Sequence, residues 1–174
     1  KPERKTRLPL AAWANEDRGR TWSMDPFTTS EIFADIPPQM YGKIIATGHL
    51  IQCRSGQALF REGDKAEKCF LVRQGRLKLI KTHEEGTESV VRYIGPGELA
   101  AAVAVFKERH YPVTALAAVD SSVVAWDQPT LERLMANHPK LAHNLLKITL
   151  DRIEDIQARR SEERRVGKEC RSRW

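Results

Sequence analysis

Glycines at positions 56, 63, 75, 86, 95 and 97 punctuate the stretch that ends at Asp127, and short alternating or continuous apolar runs lie between them. Glycine takes the positive φ of a tight turn without a Cβ penalty, so this rhythm constrains the chain to a barrel-like β fold. The runs at 49–53, 58–60, 69–73, 76–81, 89–94, 113–119 and 122–126 each have strand length and turn residues at their ends. In Arg76-Leu77-Lys78-Leu79 the alternation is strict, which predicts leucines facing in and cations facing out. Gln74-Gly75 and Glu85-Gly86 read as hairpin turns.

Helices flank the strands. Thr29 and Ser30 can cap a short helix through Ile32 and Phe33, and a second is predicted over 39–47 after Pro37-Pro38. From Asp127 the apolar period shifts toward 3.6. Asp127 is a plausible N-cap, Pro129 fits a first turn, and Leu131, Leu134 and Met135 share a face. Asn137-His138-Pro139 then opens a long helix, predicted to about residue 160. Its positions Ala142, Leu146, Thr149, Ile153 and Ile156 follow spacings of 4, 3, 4 and 3, the pattern of a coiled-coil-like seam. Leu141, Leu145 and Ile148 form a second stripe suited to packing on the β fold. Two apolar stripes on one helix call for two partners, so Leu146, Thr149, Ile153 and Ile156 are the expected seam of a homodimer.

The formal charge of +6 is concentrated at the ends. Residues 1–24 carry six Lys/Arg against three Asp/Glu, residues 158–174 carry seven against three, and 25–157 are left at −1. Four segments are therefore expected: a loosely packed basic tail at 1–24, a β-roll with short helices at 25–136, the long helix at 137–160, and a polar tail at 161–174. The chain starts at Lys1. This suggests a fragment, with Met24 as a candidate internal start and the last segment as a candidate for foreign sequence. Cys53, Cys69 and Cys170 are too scattered for a disulfide framework or a CxxC metal site, which fits a reducing cytoplasm. No run of 18 apolar residues and no signal-peptide core occurs, so no membrane partner is expected.

Three stretches resemble the sensory domain of the Crp/Fnr family of bacterial transcription regulators. They are Leu59-Phe60-Arg61-Glu62-Gly63-Asp64, Phe70-Leu71-Val72-Arg73-Gln74-Gly75-Arg76-Leu77-Lys78-Leu79, and Ile94-Gly95-Pro96-Gly97-Glu98-Leu99-Ala100. The resemblance runs from about residue 32 to 157. It implies a mainly β fold with flanking helices, a jelly roll or double-stranded β-helix of cyclic-nucleotide-binding-domain type, followed by a dimerisation helix. It also implies a C-terminal helix-turn-helix for DNA, which the residues after Gln157 are too short and polar to supply. The function so implied is the effector-sensing and dimerisation module of an allosteric, cytoplasmic transcription regulator.

Within the resemblance, Gly97-Glu98-Leu99-Ala100 matches the phosphate-binding cassette, where a short helix start offers N–H groups and the glutamate holds a ribose hydroxyl. The family's Arg and Ser/Thr for the cyclic phosphate fall on Tyr111-Pro112; Tyr111 brings no cation and Pro112 has no N–H. Arg109 is the nearest cation, and Ile156 and Gln157 stand where nucleotide binders present a Thr-Ser pair. The effector-pocket candidates are thus Gly97, Glu98, Leu99, Ala100, Arg109, Tyr111 and Thr114, with a small-molecule effector other than cyclic AMP. An iron–sulfur cluster is not expected, because residues 1–52 hold no cysteine. Ala101 and Val103 occupy the positions of the haem-binding branch's ligands, although His110 to Ala115 resembles the oxygen- and nitrogen-oxide-responsive branches. A haem-based gas sensor using His49, His83, His110, His138 or His143 is the lesser alternative.

A cupin-type enzyme would need His-x-His, and no two histidines stand two apart. GxSxG, HExxH and GxxxxGK[ST] are also missing, so no catalytic residue is assigned. A stand-alone ligand-binding or protein-interaction module without DNA binding is the stronger rival to the regulator.

Overall fold

A computed structural model describes residues 27–83, 85–106 and 110–171; the side chains of Ile156 and of residues beyond Gln157 are outside the description. After a 3₁₀ turn at Glu31–Phe33 come α1 (Pro38–Ala46) and strands β1 (His49–Cys53), β2 (Ala58–Phe60), β3 (Lys68–Gln74), β4 (Leu77–Thr82) and β5 (Glu88–Ile94). Then follow β6 (Leu99–Ala100), α2 (Ala102–Phe106), β7 (Thr114–Ala117), β8 (Ser121–Asp127), α3 (Gln128–Asn137) and α4 (Pro139–Arg171). The strands form two four-stranded antiparallel sheets, ordered β1-β8-β3-β6 and β2-β7-β4-β5. This is the mainly β jelly roll that the glycine rhythm and the resemblance imply.

β3 shows why the runs are continuous instead of alternating. Phe70 and Val72 enter the cluster between the sheets, while Cys69 and Leu71 face the helices, and all four are buried. A strand covered on both faces has no polar side to offer water. β4 departs from the expected alternation. Leu77 is fully buried and Leu79 is half-buried against the same cluster between the sheets, as alternation predicts, but across a register shift between Leu79 and Ile80 the next residue, Ile80, is buried as well. Gly75 has φ +88°, and a Cβ there would lie 2.6 Å from the Asp120 carbonyl oxygen, so glycine is required twice over at this turn.

Asp127 ends β8 and caps α3: its side chain accepts from Thr130 N at 3.0 Å, and Pro129 occupies the first turn. The Thr130 side chain first, and then this backbone bond, hold the Asp127 carboxyl below the usual carboxylate range. α4 runs past residue 160 to Arg171, since the Glu, Arg and Lys of this stretch are good helix formers with no proline among them. Leu141 and Ile148 pack on the outer face of the first sheet with Leu131, Leu134, Phe33 and Ile44, so the inward stripe lies where its spacing predicts.

The β5–β6 connection departs from the sequence reading. The short helix does not start beside Gly97. Gly97 N donates to Val72 O and Val72 N to Glu98 O, which draws this segment into the sheet as β6, opposite β3. Only after Ala101, at φ 65°, does α2 begin with Ala102. The helix start therefore carries alanines in place of a glycine and a glutamate.

Candidate functional site

Around Tyr111 the interior of the roll is filled by aromatic rings. Phe60 stacks on Tyr111 with centroids 4.1 Å apart, and Phe70 stacks on Phe60 at 5.5 Å. The Tyr111 hydroxyl donates to Lys68 O at 2.8 Å and accepts from Lys68 N at 3.1 Å, and burial pushes its pKa up. Tyr111 is 5% exposed, a core residue pinned to β3 and not a side chain turned toward a cleft. Ala100 is likewise core. Thr114, on β7, accepts from Glu62 N at 3.0 Å. Arg109 lies outside the described residues.

Gly97, Glu98 and Leu99 do come together. They form one wall of a cleft of about 290 Å³ whose other walls are residues 29–31, Arg92 of β5, and one face of α4 from Ile148 to Asp155. Glu98 has two jobs there. Oε2 accepts from Gly95 N at 2.6 Å and closes the turn, while Oε1 pairs with Arg92 Nη2. Arg152 reaches across from α4 and donates Nη2 to Leu99 O at 3.2 Å. Its Nε is buried and finds no acceptor among the described residues. Burial, followed by the neighbouring Arg92 charge, lowers the Arg152 pKa, with Glu98 acting in the opposite direction.

Two further bonds connect this wall to the rest. Ser30 Oγ donates to Gly97 O, and the buried Asn144 amide of α4 donates to Ile32 O at 3.0 Å and to Ala34 O at 2.8 Å. The β5–β6 turn, the 3₁₀ turn and α4 are thereby tied pairwise. Sequence reasoning missed Ser30, Arg92, Asn144 and Arg152 as a set. One signal was available: Asn144 sits within the inward stripe of α4 and Arg152 continues it one step beyond Ile148, and a polar residue at an inward position needs a partner.

The opposite face of α4 is apolar and open. Leu146, Leu150 and Ile153 are 58%, 50% and 45% exposed. Thr149 is half-buried and its hydroxyl returns to Leu145 O at 2.8 Å. Ile156 is on the helix, its side chain outside the description. Among the described residues, no three His, Cys, Asp or Glu side chains are grouped to hold a metal ion, and no helix is long and apolar enough to cross a membrane.

Residues 50–138 match the cyclic nucleotide-binding domain family, and the chain belongs to it. Its relatives include Crp/Fnr regulators. It is 29% identical over 100 residues to the cyclic AMP receptor protein of Thermus thermophilus, covering 58% of this chain and 46% of that protein. It is 33% identical over 104 residues to the transcriptional activator protein FnrA of Stutzerimonas stutzeri, covering 60% and 42%. A lysophospholipase nte1 of Neurospora crassa is 29% identical over 126 residues, 72% of this chain but 8% of that enzyme. The chain thus spans less than half the length of each of these relatives. In fold it resembles the catabolite activator protein of Thermus thermophilus, with a TM-score of 0.72 at 24% identity over 76% of this chain and 62% of that one. The chain is a Crp/Fnr-like regulatory domain of cyclic-nucleotide-binding type.

Proposed function

We propose that this domain is the effector-sensing and dimerisation module of a Crp/Fnr-type transcription regulator, operated by a small molecule other than cyclic AMP. The observation that carries the reading is the two-sided character of α4. One face is bonded into the β-roll through Asn144 and Arg152, and the opposite face exposes Leu146, Leu150 and Ile153 at spacings of 4 and 3. A helix held by the ligand-side turn and offering an apolar seam to a second copy couples occupancy to the geometry of a dimer. The aromatic filling at Tyr111 and the alanines at the start of α2 argue against cyclic AMP, because a buried phosphate without cation or hydroxyl partners costs several kcal/mol. In this reading the module is cytoplasmic, and DNA is reached through a helix-turn-helix outside this chain.

Sedimentation tests the seam. The parent should be a dimer at tens of micromolar, and Ile153→Asp should yield a folded monomer, since the carboxylate would be buried against its symmetry mate. A monomeric parent, or a dimer unchanged by Ile153→Asp, refutes it. Calorimetry with cyclic AMP should give no micromolar binding. A micromolar dissociation constant would return the nucleotide reading.

A further inference from the structure

The cleft between the β5–β6 turn and α4 shares no residue with α2 or β7, and its electrostatics point to a ligand of a different kind from a nucleotide. Arg92 and Arg152 face it from opposite walls, and a guanidinium carries five N–H donors. Among the described residues these groups meet one oxygen of Glu98 and the Leu99 carbonyl oxygen, while the Arg152 Nε has no acceptor. The charge of Arg92 is paired by Glu98, which leaves the half-buried Arg152 guanidinium, with its unfilled Nε donor, as the group that gains from an entering anionic group, with the remaining Arg92 donors beside it. The mouth of the cleft has the opposite sign: Glu31, Asp151 and Asp155 line it and are exposed. A second negative charge on the ligand would be repelled there, and an ammonium would be attracted. A cavity of about 290 Å³ is of amino-acid size and lies at the small end of ligand pockets.

We infer that this cleft binds a free α-amino acid, with its carboxylate between Arg92 and Arg152 and its ammonium toward Glu31, Asp151 and Asp155. The inference rests on the ligand-operated reading, and it gives the ligand a route to the seam, because Arg152 precedes Ile153 on α4. The test is calorimetry on the whole chain with each of the twenty common free amino acids, with succinate as an anion lacking an ammonium. At least one amino acid should saturate below about 1 mM, with succinate at least about tenfold weaker. Arg92→Gln should weaken binding by about tenfold or more, and the exposed Asp155→Asn, which leaves the core untouched, by several-fold. The inference is overturned if no amino acid gives a saturable heat up to about 10 mM. Succinate binding as tightly as the best amino acid, or unchanged affinity in both variants, also overturns it. Sedimentation with the ligand present separates the two readings. Binding that leaves the dimer unaltered upholds the cleft and refutes the sensor; an intact dimer with no amino-acid binding refutes the cleft alone.

Discussion

Replacing Asn144 with Ala probes the bond that joins α4 to the 3₁₀ turn. Asn144 is 4% exposed and donates both amide hydrogens, to Ile32 O at 3.0 Å and Ala34 O at 2.8 Å. A buried carbonyl stripped of its donor costs about 1–3 kcal/mol. The Ile32 bond is buried and incurs that cost, whereas water can reach the partly buried Ala34 oxygen, so a loss of about 2–4 kcal/mol is expected. For a chain of this size that corresponds to a fall in Tm of roughly 5–15 °C. Urea unfolding followed by tryptophan fluorescence and by circular dichroism measures it, with coincident transitions as the check on two-state behaviour. A double-mutant cycle adds a sharper demand. Ser30 holds the same turn to Gly97, so Ser30→Ala should cost less in the Asn144→Ala background than in the parent. A loss under about 1 kcal/mol for Asn144→Ala, or full additivity with Ser30→Ala, would refute the idea that the turn is a shared strut.

Tyr111→Phe keeps the ring stack but strips the hydroxyl from Lys68, and should lower stability by about 1–2 kcal/mol by urea midpoint while leaving cyclic AMP unbound. The Cys69 thiol, fully buried with its pKa pushed up to about 12, should resist a thiol reagent at pH 8 until the chain unfolds. Because the unfolded thiol ionises at about 8.5 and the folded one only at about 12, Cys69 should also make stability fall as pH climbs above the lower value, a contribution that Cys69→Ala removes. Asp127→Ala should cost about 1 kcal/mol at pH 7 by loss of the α3 cap. The folded Asp127 carboxyl titrates below its unfolded value of about 3.9, so the cap's charge contribution is present above that pH and lost as pH falls through the lower folded pKa; parent and variant should converge in strong acid.

Much of the fold was legible because its signals are local. Glycine turns, the capping Asp127 and the apolar period of α4 each declare themselves within a few residues, and the structure places them accordingly. What escaped was set by distant partners. β6 exists because Val72 bonds Gly97 and Glu98, and no property of Leu99-Ala100 alone announces a two-residue strand. The burial of Ile80 directly after the inward-facing Leu79 accompanies a bulge in the ladder with β5, which alternation cannot register. Glu98 was legible as a notable residue but not in its partner, since Arg92 could have faced either side of an exposed edge strand. Arg152 was overlooked because a cation on a long polar helix reads as solvated until the carbonyl it meets is known.

The outer face of the β1-β8-β3-β6 sheet carries Cys69, Leu71, Val124 and Trp126, and part of its cover is α4, which follows every strand in sequence. During synthesis this face must therefore wait. The strands can close their ladders once β8 has left the ribosome, yet the bond from Asn144 back to Ile32 spans 112 positions and cannot form before α4 arrives. Until then the nascent roll holds a partly uncovered apolar sheet beside the open edge of β1, a surface prone to association. A chain stopped before Leu141 would keep that surface for good, so the helix that Asn144 ties to the 3₁₀ turn also sets the point in translation after which this face of the sheet is covered.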